Sequence, residues 1–377
     1  MILLTILWCL CVLAKFSSEN ETIVFSRGEA GYYCIRIPSL LTTFRGTLLA
    51  FGEARMFNCH DDTQIDIVFK RSLDNGMTWS NLQIMYRDNA SGENFNWVGN
   101  FAPIQLKTNQ RILVPFCKNN LILMQVYSDD DGLTFSQPQI IFNVTKPNWK
   151  WVALGPPSGL ALQSNRILIP GDYSTVENIR AGSFSVGFVM LNDFDGQVDK
   201  WYLGGEYRLD DYFPNEGQAV ELLPRANSIF INARSYSTKR IGAYSDDGGI
   251  TFKRVVLLNT LIQPLHGCEG STIYDSKSNQ LFYSGLAETS IIRANLSLHI
   301  STDNGESWSY IKSICLGPSG YSSLTLMHNQ SIGVLYEKGS IIGVPDSLTF
   351  SIVYNQTEKN IDVSSSMNSD FNFKTFK

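Results

Sequence analysis

Short apolar or alternating runs bounded by turn residues recur along the whole chain. They include TLLAFGEAR (47–55), IDIVFKRS (65–72), RILVPFCK (111–118), LILMQVYS (121–128), RILIPG (166–171) and SFSVGFVML (183–191). SIFINARS (228–235), LFYSGL (281–286), LSLHIST (296–302), IGVLYEK (332–338) and LTFSIVYN (348–355) continue the series. All are strand-length and rich in β-branched and aromatic residues, and none carries a sustained 3.6-residue apolar period. The pattern predicts an all-β chain of many short strands.

One phrase punctuates these strands four times. It reads SLDNGMTW (72–79), SDDDGLTF (128–135), SDDGGITF (245–252) and STDNGESW (301–308), sharing S-x-D-x-G-x-[TS]-[WF]. The starts at 72, 128, 245 and 301 make the first and last steps 56 residues each, and the middle gap of 117 is close to two such steps. A worn copy at Asn192-Asp193-Phe194-Asp195-Gly196, with Trp201 set further off, fills the gap. Such a period signals an array of supersecondary units. Asp and Ser bond nearby turn backbone, Gly tolerates positive φ, and the closing Trp or Phe plugs the space between sheets. Asp74, Asp130, Asp247 and Asp303 are therefore turn residues rather than catalytic ones. A calcium loop needs carboxylates at alternate positions and a late Glu, which these segments lack. About 335 residues in steps of about 56 predict a β-propeller with roughly six blades.

Residues 1–18 open with the apolar run MILLTILWCLCVLA, too short to cross a bilayer comfortably and fitting a signal peptide. Residues 19–357 contain no Pro-, Gly- or Ser-rich linker and read as one propeller domain, followed by a polar tail over 358–377. Sequons at Asn20, Asn89, Asn143, Asn295, Asn329 and Asn355 support a secretory route, with no transmembrane anchor expected. Cys9 and Cys11 leave with the leader, and Cys34, Cys59, Cys117, Cys268 and Cys315 are too few and odd in number for a disulfide framework. Four histidines and no C-x-x-C pair argue against a metal site, and no cofactor is expected. A net charge of −5 without a basic run excludes nucleic acid as a partner, and an anionic substrate would have to be held by local arginines.

Three arginines stand at strand ends in different predicted blades: Arg36 in CIRIP, Arg234 in NARS and Arg293 in IIR. An arginine flanked by isoleucines is costly to bury unless paired. Guanidiniums converging at a propeller axis bind a carboxylate with bidentate geometry.

Arg36-Ile37-Pro38 followed by the four turn phrases resembles the exo-α-sialidases (neuraminidases) with Asp-box repeats, over about residues 25–355. GTLLAFGEAR (46–55), GPSGYSSL (317–324) and LYEKG (335–339) look most similar to the animal lysosomal branch. The resemblance implies a six-bladed propeller that removes terminal sialic acid from glycoproteins, oligosaccharides and gangliosides, secreted or lysosomal. It leaves a protective protein partner open. It implies that Arg36, Arg234 and Arg293 clamp the substrate carboxylate, with Glu337 orienting Arg36 and Arg55 lining the pocket. Asp61 matches the acid/base, with Asp62 as runner-up. Tyr321 matches the nucleophile and Glu216 its partner, with Glu221 as the alternative. A neutral phenol can approach a carbon that bears a carboxylate, and the adjacent glutamate draws off its proton. Asp61 must be protonated to serve the leaving sugar, which implies an acidic optimum. Trp149 and Trp151 are candidates for the pocket wall or for packing, and Cys34 and Cys59 for a pair across the site rim. A Gly at 217, where relatives often carry Cys, and the worn repeat are departures from the pattern. The competing functions are a trans-sialidase and a catalytically inactive sialic acid-binding propeller.

Overall fold

In the computed structural model of the chain, residues 21–89, 95–176, 184–341 and 343–355 are described. The expected leader and tail, and the sequon at Asn20, lie outside them. The described chain is almost wholly strand and turn, with one short 3-10 turn at Glu29–Gly31.

Antiparallel strands form five hydrogen-bonded sheets in chain order. The first contains Cys34–Thr42, Leu48–Arg55, Ile65–Ser72 and Gln83–Tyr86. The second centres on Ile112–Lys118 and Ile122–Ser128, and the third on Ile167–Ser174 and Val186–Asn192. The fourth contains Gly217–Glu221, Ile229–Ala233, Lys239–Ser245 and Arg254–Ile262. The fifth has seven strands and runs from Ser271–Asp275 to Ser347–Asn355, with Glu21–Ser26 added at its far edge. Its long strand Ser309–Leu326 pairs with Ala294–Ser301 through its first half and with Ser331–Lys338 through its second. Five sheets thus stand where six separate blades were expected, in a propeller-like ring.

Two sets of contacts close the ring. At the inner strands, small polar side chains bridge neighbouring sheets. The Ser323 hydroxyl accepts from the Leu40 amide at 2.9 Å, Ser39 donates to the Pro157 carbonyl at 2.6 Å, and Gln218 donates to Ser158 at 2.7 Å. Ser271 donates to Gln218 at 2.8 Å and accepts from the Leu324 amide at 2.9 Å. These side chains satisfy backbone groups that would otherwise be stranded at buried sheet edges.

Around the outside, the repeated turns do the joining. In all four, the opening serine hydroxyl donates to Asp Oδ1 and accepts from the glycine amide, while the Thr or Ser just before the closing aromatic donates its amide to Asp Oδ1 and its hydroxyl to Oδ2; in the first copy these distances are 2.8, 2.9, 2.9 and 2.6 Å. The glycine sits at positive φ and faces the preceding sheet. A Cβ on Gly76 would lie 2.1 Å from the Phe350 ring, one on Gly132 2.8 Å from Leu49, and one on Gly305 2.8 Å from Phe230. The worn copy keeps this contact, Gly196 against Leu113, but Asn192 Oδ1 replaces the serine as acceptor for the Phe194 and Gly196 amides. The turn aromatics fill the seams as expected: Trp79 packs edge-on against Phe350, and Phe135 against Phe69. The turn carboxylates are consumed by these bonds, in keeping with a structural role.

Candidate active site

The sequence brings its charged residues to one end of the inner strands. Arg36 lies within Cys34–Thr42, where the register shifts between Arg36 and Ser39 and Ile37 adopts φ 57°. A β-branched residue at positive φ is a strained backbone, kept only where its surroundings hold it. Here the Ile37 amide donates to Glu337 Oε1 at 3.1 Å. The same carboxylate accepts from Arg36 Nε at 2.9 Å and Arg36 Nη2 at 3.4 Å, and from the Tyr321 amide at 3.2 Å. Burial opposes ionisation of Glu337, but Arg36 overrides it and holds the carboxyl below the ordinary Glu range. One buried acid therefore fixes an arginine on the first sheet and a tyrosine on the last.

Tyr321 stands at the centre. Its hydroxyl donates to Glu216 Oε1 at 2.5 Å, and Arg234 Nη1 bridges the pair, 2.9 Å from Glu216 Oε2 and 3.3 Å from the tyrosine oxygen. Arg36 and Arg293 lie over the Tyr321 ring at 5.4 and 5.5 Å from its centroid. Burial and then the Glu216 charge push the phenol well above its ordinary pKa, against the pull of Arg234 and Arg293. The phenol is thus neutral at rest and donates to Glu216.

Asp61 sits at the mouth, its side chain 72% exposed. Arg55 Nη1 approaches it at 2.7 Å and Arg36 Nη1 at 3.8 Å. Partial burial raises its pKa, but Arg55 and then Arg36 outweigh this and hold it below the usual Asp value. The expected protonated acid is therefore an ionised partner of Arg55. The Cys34–Cys59 pair forms a disulfide at the rim.

A pocket of about 620 Å³ joins these groups, lined by Arg55, Asp61, Glu216, Arg234 and Tyr321. Arg36 and Arg293 line a smaller cleft of about 260 Å³ that also reaches Glu337. All eight residues singled out in the sequence thus converge. Of the alternatives, Asp62 makes no contact with this set, and Glu221 accepts from the Gln163 and Asn227 amides at 2.7 and 2.9 Å, stitching loops elsewhere. Trp151 lines the pocket, whereas Trp149 is buried and stacked on Tyr173 at 4.0 Å. Among the described residues no group of three or more His, Cys, Asp or Glu could hold a metal.

Several pocket residues escaped sequence reading, Glu53, Asp172 and Trp97 among them. Glu53 is buried, bonds Arg55 Nη2 at 2.6 Å and accepts from the Asn100 amide at 3.0 Å. Its alternation with Arg55 on one strand face was the available signal. Asp172 is fully buried, bonded by Asn215 at 3.0 Å, and raised well above the ordinary Asp value by burial and then by Glu216. A lone acid ending the apolar run RILIPG was its only trace. Trp97 carried no local signal.

A family profile described as BNR repeat-like domain matches residues 46–335. The chain is 25% identical to the sialidase of Clostridium perfringens over 85% of its own length and 90% of the relative's. It is 25% identical to Sialidase-2 of Rattus norvegicus over 82% and 90%. Its structure superposes on that of Hadza microbial sialidase Hz136 with a TM-score of 0.76 at 24% identity, covering 89% of this chain and 69% of the other. Among the described residues no helix is long and apolar enough to cross a membrane.

Proposed function

The chain belongs to the BNR-repeat sialidase family, and from that premise we propose that it is a retaining exo-α-sialidase acting on terminal α-linked sialic acid of glycoproteins, oligosaccharides and gangliosides. The observation that carries the reading is the Tyr321–Glu216 hydrogen bond inside a ring of arginines. Arg36, Arg234 and Arg293 hold the substrate carboxylate, and their charge favours the oxocarbenium-like transition state by fixing that carboxylate in place. Glu216 takes the phenol proton as Tyr321 oxygen bonds the anomeric carbon. The glycosidic C–O bond breaks, and its oxygen leaves with the proton of Asp61. Asp61 then takes a proton from water, whose oxygen displaces Tyr321, and the phenol recovers its proton from Glu216. Substrate brings its own carboxylate to Arg36, which weakens that arginine's hold on the Asp61 charge and favours uptake of a proton.

The fold reading goes with this one. The seven-stranded sheet is two blades that share Ser309–Leu326, giving six blades with Glu21–Ser26 closing the last. Residues 1–18 act as a leader, 19–357 form the propeller and 358–377 the tail. The Cys34–Cys59 disulfide supports an oxidising compartment, secreted or lysosomal.

The test is release of fluorophore from 4-methylumbelliferyl α-sialoside between about pH 3.5 and 8. Acidic activity lost in Tyr321→Phe, with the α-anomer of free sialic acid formed first, supports the proposal. Tight sialoside binding without turnover by folded wild type would move the protein to a sialic acid-binding lectin. Transfer to added lactose in place of water would make it a trans-sialidase.

A further inference from the structure

We infer that Cys59, through its disulfide to Cys34, is a positioning residue for the proton transfer assigned above to Asp61, on which reading this inference rests. Asp61 lies in the connection 56–64, between Leu48–Arg55 and Ile65–Ser72, whose ladder ends at the Arg55–Ile65 pair. At the base of this loop the Met56 amide donates to the Gln64 carbonyl at 3.0 Å. Further out, the His60 amide bonds the Asn58 side chain at 2.8 Å, a contact internal to the loop. Four ties then bind the outer loop to the pocket: the Cys34–Cys59 disulfide, Arg55 Nη1 to the Cys59 carbonyl at 2.6 Å, and the ion pairs of Asp61 Oδ1 with Arg55 Nη1 at 2.7 Å and Arg36 Nη1 at 3.8 Å.

These ties are not equivalent during turnover. The Arg55–Asp61 and Arg36–Asp61 contacts are ion pairs, and they weaken when Asp61 holds the proton it must deliver. An exposed carboxyl cannot fix its own place in its neutral state. Both remaining ties end on Cys59, two residues away, and neither depends on the charge of Asp61. Cys34 lies opposite Arg55 in the strand that also carries Arg36, so the disulfide joins the acid to the carboxylate clamp. Arg55 is itself held from behind by Glu53. The loop is thus rigid in the one state in which its aspartate cannot make it so.

Misplacing an acid by an ångström costs on the order of 100-fold, and the loss falls on substrates that need protonation of the leaving group. The experiment compares oxidised wild type with Cys34→Ser/Cys59→Ser on two substrates, sialyllactose and 4-methylumbelliferyl sialoside. The expected result is a fall in kcat/KM of about 10- to 100-fold on sialyllactose and below about 3-fold on the aryl sialoside. Adding the cysteine changes to Asp61→Asn should cost no further activity on sialyllactose. An equal fall on both substrates, or none, overturns the assignment. Should the double variant fail to fold, a phosphine reductant applied to folded Cys315→Ser protein and reversed by re-oxidation reads the same ratio, since the other free thiols among the described residues, Cys117 and Cys268, are buried. No turnover of either substrate by oxidised wild type refutes the sialidase reading and this assignment with it. Turnover with unchanged leaving-group dependence refutes the assignment alone.

Discussion

Replacing Glu337 by glutamine should separate binding from folding at this site. Glu337 is 3% exposed, and its two oxygens face four donors. Oε1 takes Arg36 Nε and the Ile37 amide, and Oε2 takes Arg36 Nη2 and the Tyr321 amide. An amide keeps one acceptor edge and turns an NH₂ towards two N–H groups on the other. Two buried donors lose their partner, and Arg36 loses its counter-charge. The expected cost is about 2–3 kcal/mol of folding free energy, against ~3–5 kcal/mol for alanine, which leaves the arginine uncompensated. Urea denaturation reads this as a lower midpoint at unchanged m. Under conditions where the variant stays folded, kcat/KM should fall by about 10- to 100-fold, because Arg36 and the Tyr321 backbone are both released from their set positions. KM should rise through the loosened carboxylate clamp and kcat fall through the displaced nucleophile. A midpoint shift worth less than about 0.5 kcal/mol, or full kcat/KM in the folded variant, would refute the view that one carboxylate sets both groups.

Four further outcomes are expected. The free enzyme holds Asp61 ionised by Arg55 and Arg36, so kcat/KM for a sugar leaving group should climb as pH falls from 8 towards 4, and a flat profile would sink the acid role. The same depressed pKa means that the pair's contribution to stability is present above the ordinary Asp value of about 3.9 and is lost as pH falls through the lower folded value. Gly76→Ala, which combines φ 87° with a 2.1 Å approach to Phe350, should cost about 1–3 kcal/mol of stability and leave kcat in the folded fraction unchanged. In a secretory host, glycan mapping by mass spectrometry should find Asn143 and Asn329 occupied and Asn295 bare. The last donates to the Ala287 carbonyl at 3.1 Å and accepts from Ser313 at 3.1 Å inside the sheet, so a glycan there would contradict the fold.

How much of this was legible beforehand depends on whether a residue's meaning is local. The turn phrase is local: Ser72, Asp74, Gly76 and Thr78 bond one another, so their spacing alone predicts their geometry. Asn192 shows the limit, since a different side chain supplies the same acceptor and only the glycine contact with Leu113 survives unchanged. The arginines were half legible. An arginine among isoleucines announces a buried charge, but the identity of its partner lies elsewhere: Glu337 is 301 residues from Arg36, and Glu216 is 105 from Tyr321. Those pairings came from family resemblance and not from periodicity. Glu53 and Asp172 fell outside both routes, for each looks like an ordinary acid near a strand end until the neighbouring sheet buries it.

That division bears on why the ring must be closed for chemistry to occur. The clamp draws Arg36 from the first sheet, Arg234 from just past a strand of the fourth and Arg293 from just before a strand of the last, so that each comes from a different sheet. Like charges brought together repel, and the repulsion here is met by acids that also cross between sheets or carry the nucleophile: Glu337 to Arg36, and Glu216 to Arg234. The structural glycines that dock each turn on its neighbour, and the Ser, Thr and Gln bridges at the inner strands, hold the sheets together through contacts separate from these charges. A turn substitution far from the pocket should therefore act on activity only by lowering the folded fraction, while a change at Glu337 acts in the folded state. A turn variant that lost kcat while remaining fully folded would show that the ring is softer than these contacts make it.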